Sequence, residues 1–224
     1  MTDDSPPAPT PSPSVPSAPG PAADVRLDTA ALRLLAHPLR INVLTMLRQR
    51  GPSTATRVAD ELGINPGSAS YHLRRLALGG LIVEEPGRGT GRERWWRAAH
   101  RQSQHDPAGG PPEEREAGRP YAHAVALAGA DRLRRAADEI PLLPREWLDV
   151  SAYADFVLRL TPERAGRVKA EIFEVFARHR QEAERAEQAE RPAEGEVPVA
   201  FQFQVFPVPG AVAPSAARPD AGGV

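Results

Sequence analysis

Residues 65–80 read NPGSASYHLRRLALGG. At about 100° per residue, Gly67, Ser68, Tyr71, Arg74, Arg75 and Leu78 share one side of a helix. Ala69, Leu73 and Leu76 take the other side, with His72 near its edge. A hydroxyl, a phenol and two guanidiniums on one face can bond phosphate oxygens and base edges, and arginine can take guanine O6 and N7 bidentately. The small Gly67 leads that face, where close approach is needed. Gly67, Ser68 and Tyr71 are therefore expected at base edges, with Arg74 and Arg75 as suited to phosphates. Asn65 and Ser70 complete the candidates on this stretch, and Ser53 and Thr54 join them from the helix before it.

A second group follows in PGRGTGRER, residues 86–94, where Arg88, Thr90, Arg92 and Arg94 stand among three glycines. Guanidiniums on a flexible backbone fit a phosphate rail or a minor-groove probe. GRGTGR lacks the Lys-Ser/Thr ending of a nucleotide-binding loop and does not open a helix, so nucleotide binding there is not expected.

The elements that must position these groups can be read outward from them. Residues 27–35 form a short apolar helix. Pro38 suits the first turn of a second, because its missing N–H would be unpaired there anyway. Ile41, Val43, Leu44 and Leu47 give that second helix a core face, and Gly51-Pro52 breaks it. Ser53 or Thr54 can cap a third helix that turns Val58, Ala59 and Leu62 inward and ends at Gly63. Asn65 caps the fourth, with Pro66 at its first position. Helix, tight glycine turn, helix is helix-turn-helix spacing. The period then changes to strand at residues 81–85 and 92–97, a hairpin with a glycine-rich tip. Trp95 and Trp96, on adjacent strand positions, should face opposite sides, one on the helices and one outward.

Charge supports the same region. Residues 26–105 hold 13 Arg and six acids, a balance of +7, so the remainder carries −8 of the net −1. A basic block beside an acidic one fits a polyanion-binding domain with a partner domain of different purpose. Eight prolines between Pro6 and Pro21 mark residues 1–24 as a disordered tail. Residues 101–119 read as a polar linker, and 207–224 as a second tail. Between them, 120–206 reads as an α+β extension for dimerisation or an effector. Its expected parts are a helix at 120–139, a strand at 153–160, a helix from Thr161-Pro162 and a strand at 197–206. The expected fold is mainly α with a β-wing, plus that C-terminal α+β extension.

LLAHPLRINVLTML, followed by TRVADELGINPGSASYHLRRLALGGLIVEE, resembles the winged-helix regulators of the arsenical-resistance-repressor (ArsR) type. The most specific parts are Ser70-x-His72-Leu73-x-x-Leu76 closing on Gly80-Leu81-Ile82, and Leu35-Ala36-His37-Pro38-Leu39-Arg40 upstream. The resemblance spans residues 27–100. It implies a dimeric bacterial regulator, a repressor or an activator, on a palindromic DNA operator. His72 matches the family's His-Leu pair, and its inward position favours a structural role. Many members sense soft metals through cysteines, and this chain has none. Its six histidines lack paired ligand spacing, so no metal and no cofactor is expected.

Zero cysteines also exclude a disulfide scaffold and a Cys nucleophile. No nucleophile elbow or defensible carboxylate constellation is present, so the chain is not expected to be an enzyme. The start MTDDSPP is acidic where a signal peptide is basic, and no apolar run spans a membrane. A cytoplasmic protein is expected, with duplex DNA and a second copy of itself as partners and room for an effector of unassigned chemistry. The alternative is a winged helix that binds protein without sequence-specific DNA binding. That use needs apolar groups on the exposed helix face, where Leu78 alone stands.

Overall fold

The computed structural model describes residues 24–88, 93–188 and 195–213. They fall into two compact units, Met1–Glu139 and Ile140–Val224. In the first, the elements run β1 (Val25–Arg26), α1 (Thr29–Leu35), α2 (Pro38–Arg50), β2 (Ser53–Thr54), α3 (Ala55–Leu62), α4 (Pro66–Leu78), β3 (Ile82–Glu84), β4 (Trp95–Ala98), β5 (Ser103–Gln104) and α5 (Pro112–Glu139). The fold is mainly α with a small β-wing.

Caps fix most of the helix starts. Asp28 accepts the Ala31 N–H at 2.7 Å, and Asn65 accepts the Ser68 N–H at 2.8 Å. Removing such a cap costs about 1 kcal/mol. Pro38 and Pro66 open α2 and α4. Between α3 and α4 the chain must reverse within three residues, and Gly63 does so at φ +63°. The N–H of Ile64 returns to the Ala59 carbonyl at 2.9 Å and closes the end of α3.

The core lies where these helices meet the wing. Leu32, Val43, Val58, Leu73, Leu76 and Ile82 are almost fully buried there. β4 is the middle strand of a three-stranded antiparallel sheet, ordered β2-β4-β3. Its register sets Ser53 against Trp96 and Thr54 against Trp95 on one side, and Ile82 against Ala98 on the other. At the far end of α4, a Cβ on Gly79 would meet Leu34 Cδ2, the tip of a half-buried side chain that would have to turn aside.

Residues 101–119, expected as a linker, are built into the unit. β5 pairs in parallel with β1, and α5 begins at Pro112 rather than near residue 120. Arg26 reaches Glu114 at 3.1 Å, Ala117 enters the core, and Gly118 leaves room for the His105 ring, which meets Tyr121 edge-on. These contacts join residues far apart in sequence, so the local Gly/Pro/acid composition gave no sign of them. Pro120 lies inside α5, where it withholds one hydrogen bond from the preceding turn. α5 packs along α1 and α2, so the helix grouped by sequence with the C-terminal block belongs to the first unit.

The second unit holds a short 3₁₀ turn (Ile140–Leu142), α6 (Arg145–Val150) and α7 (Pro162–Gln188). Thr161 caps α7 as expected, accepting the Arg164 N–H at 3.4 Å. The strands expected at 153–160 and 197–206 are not formed: neither segment belongs to a ladder. Alternating apolar residues define a face, but a strand also needs a neighbour to bond, and none is present among the described residues of this unit. Among the described residues no helix is long and apolar enough to cross a membrane.

Candidate nucleic-acid interface

α4 presents the two faces that its sequence implied. Ala69, His72, Leu73 and Leu76 are buried, while Gly67, Tyr71, Arg74, Arg75 and Leu78 are exposed and Ser68 and Ser70 half-buried. Tyr71 stands 51% exposed, which leaves its hydroxyl available outward. Gly67 follows Asn65 so closely that an added Cβ would meet Asn65 Oδ1 at 3.2 Å. Arg74 is steadied by its own helix, with Nε donating to the Ser70 carbonyl at 3.3 Å.

Beside this face lies an open cleft of about 460 Å³. Thr54 and Thr56 line it from the start of α3, Ser70 and Arg74 from α4, and Arg94 and Trp96 from the wing. Three groups remote in sequence therefore meet at one concavity. Its hydroxyls, guanidiniums and the first turn of α3 suit a phosphate ridge. Glu93 also lines the cleft and opposes that charge.

Thr54 is the expected cap of α3, but as candidate DNA contacts Ser53 and Thr54 lie deep. They are 4% and 3% exposed, and Thr54 Oγ1 already accepts the Arg57 N–H as the cap of α3. Both are pinned by pairing with the tryptophans of β4, a two-residue ladder too short to show any period in sequence. Thr56, exposed and two residues on, offers its hydroxyl instead.

The wing is more constrained than a flexible rail. Trp96 joins the core as expected of one tryptophan, but Trp95 is not turned outward to solvent. It is 8% exposed, with the Arg57 and Arg88 guanidiniums 4.8 and 5.1 Å from its ring. Arg88 is held further by Glu85 at 3.4 Å, and Arg94 lies 3.9 Å from Glu84. Thr90 and Arg92 lie outside the described residues.

Arg40 and Arg57 were not singled out by sequence. Arg57 is hidden by its place in α3, since only folding brings Trp95 beneath it. Arg40 sits where α2 begins, near Tyr71 and Arg75 of α4. Burial holds its guanidinium below the usual range, with Tyr71 opposing that shift and Arg75 adding to it. His37 and His72 pack ring to ring at 4.9 Å and tie the start of α2 to α4. Burial lowers both pKa values; Arg40 lowers that of His37 further, and His37 and Arg40 lower that of His72. Among the described residues no three metal-ligating side chains cluster.

Residues 35–85, from the end of α1 to beyond β3, match a family model described as a helix-turn-helix domain. No curated protein matches the chain. Among solved structures, a double mutant of Lactococcus lactis ZitR in apo form is similar at 16% identity. That likeness covers 62% of this chain and 81% of that one, with a TM-score of 0.26. The chain carries a helix-turn-helix domain on α2–β3, which supports a DNA-binding transcriptional regulator.

Proposed function

We propose that the chain is a sequence-specific, duplex-DNA-binding repressor of the ArsR type, acting in the cytoplasm as a homodimer. The observation that carries this reading is the shared cleft of Ser70, Arg74 and Arg94 beside the exposed Tyr71. α4 enters the major groove, Tyr71 and Ser68 meet base edges, and the cleft takes the phosphate ridge. Arg75 and the start of α2 at Arg40 extend the contact along the backbone. Ser53 and Thr54 hold the wing in place by pairing with β4.

One such module makes few base contacts, and a dimer reads two half-sites. α1 and α5 supply the joint. The outward side of α5 presents Ala122, Ala126, Leu127 and Ala130, with Leu127 60% exposed. With no cysteine in the chain, regulation does not run through thiolate-bound metal. The effector, if one is used, is a small molecule of unassigned chemistry.

The test is titration of the full chain with duplexes from the DNA flanking its own gene, at several salt concentrations. Log affinity should fall with log salt by about 0.9 per phosphate neutralised. A flat response, or equal affinity for every duplex, would overturn the reading.

A further inference from the structure

The second unit leaves its apolar residues in the open. Phe156 is 83% exposed and Phe201 73%. Among the described residues, no backbone–backbone hydrogen bond engages 152–160 or 196–206. Yet the later segment is not randomly placed. Phe201 meets Phe176 at 5.4 Å and Phe203 meets Phe173 at 6.4 Å, ring centre to ring centre. Alternate residues thus face α7, which is the two-residue period of a strand. That face is only partly met by α7, and the edges are bare. Bare edges are templates for another chain.

We propose that a second copy of this chain fills the gap, by antiparallel pairing of the two 153–160 segments about a twofold axis at Val157. The proposal rests on the homodimer reading above and assigns it a specific surface. Charge complementarity fixes the register. Asp155 and Arg159 are the charged residues of 153–160; both are exposed, and neither has a partner among the described residues. Centred on Val157, Asp155 of each copy falls opposite Arg159 of the other. A shift of the centre to 156 or 158 sets both charges against uncharged residues.

The same register places Phe156 opposite Leu158 and Ala154 opposite Leu160, so one face is apolar and the other carries both ion pairs. That is the pattern of an antiparallel sheet with one side packed and one wet. Residues 197–206 carry no charge at all, so nothing on this surface selects a nucleic acid or an acidic protein. Eight and ten residues from the two segments, with the flank of α7, approach the roughly 20–30 residues a side of a stable interface.

A chain without cysteine permits a clean test by cross-linking. In the full-length protein, Val157→Cys should form a disulfide with its own counterpart under mild oxidation. Paired antiparallel residues lie about 4.5–5.5 Å apart at Cα, within disulfide range. Tyr153→Cys should not cross-link, because its counterpart lies about eight residues along, roughly 27 Å away. Adding Asp155→Arg or Arg159→Asp to Val157→Cys should slow cross-linking about tenfold. Mixing those two charge variants should restore it in the mixed pair. Equal cross-linking at 153 and 157 would overturn the proposal. So would failure at 157 in a chain that sediments at twice 24.2 kDa, although the homodimer would then stand. A monomer by sedimentation would remove both readings. Binding of Phe156-dependent neutral lipid vesicles without cross-linking would give the surface to a membrane and also overturn the proposal.

Discussion

Two strand-like runs in this chain met different fates. Residues 82–84 became β3, because β4 lies close enough in sequence to return as a hairpin and bond Ile82 to Ala98 in register. Residues 153–160 have an equally regular alternation, yet Phe156 and Leu158 stay 83% and 64% exposed. In the first unit the apolar faces close on one another, and Leu73 and Leu76 lie at zero exposure. The difference teaches that periodicity states a demand for a neighbour without supplying one.

The sharpest way to break this contrast is to cut both sides alike. Leu73→Ala should cost about 2–5 kcal/mol, the ordinary penalty for emptying a closed core. Phe156→Ala should change stability by no more than about 0.5 kcal/mol when the chain is dilute enough to be monomeric. Chemical denaturation at nanomolar concentration measures both. Similar losses from the two would abolish the distinction.

Two further pairs of variants sharpen the contrast within the first unit, between the Ser68–Tyr71 face of α4 and the cleft of Arg74 and Arg94. Tyr71→Ala and Ser68→Ala should reorder a panel of operators by about 1–3 kcal/mol at the positions they read. Arg74→Ala and Arg94→Ala should weaken all operators alike and reduce the salt slope by about 1 each. Competition binding across the panel decides; reordering by the cleft variants alone would reverse the assignment.

The stacked tryptophan carries a smaller effect. Arg57→Ala removes one guanidinium from Trp95, worth about 0.5–1 kcal/mol at such a site. It should loosen the wing, lower affinity by a few-fold without reordering operators, and shift tryptophan emission to the red. Unchanged emission would mean that Arg57 does not cover the ring.

The gentlest test concerns acid. His37 and His72 are held below their ordinary pKa, chiefly by burial. The unfolded chain then binds protons that the folded one refuses. Their contribution to stability is complete above about pH 6.5 and is lost as pH falls through that value towards the folded pKa. His72→Gln should flatten the decline in urea midpoint between pH 7.5 and 5.5, and an unaltered slope would place the sensitivity elsewhere.

What sequence could see follows local chemistry. Asn65, Pro38, Pro66 and Gly63 act within one turn of themselves, so these helix ends and the outward face of α4 were legible. Trp95 could not be placed, because the arginines covering it come from α3 and from the wing tip. The start of α5 was equally hidden: Glu114 and Gly118 are settled by Arg26 and His105, and a Gly/Pro/acid stretch conceals such distant anchors. The cap at Thr54 was legible, but the burial of Ser53 and Thr54 was not, because a two-residue ladder leaves no pattern. In each case the missing information was another part of the chain.

The contact of Gly79 with Leu34 has a consequence for the operator. α1 bears on the end of α4 and also packs along α5, so the helix proposed to read bases is geared to the helices proposed to join two copies. In such a dimer, base identity would rest on the side chains of α4, whereas the interval between half-sites, a multiple of about 34–36 Å, would rest on the packing of α1 along α5. Spelling and spacing of the operator are thus separate inheritances. Substitution of Tyr71 or Ser68 would then alter the first and leave the helix packing behind the second untouched.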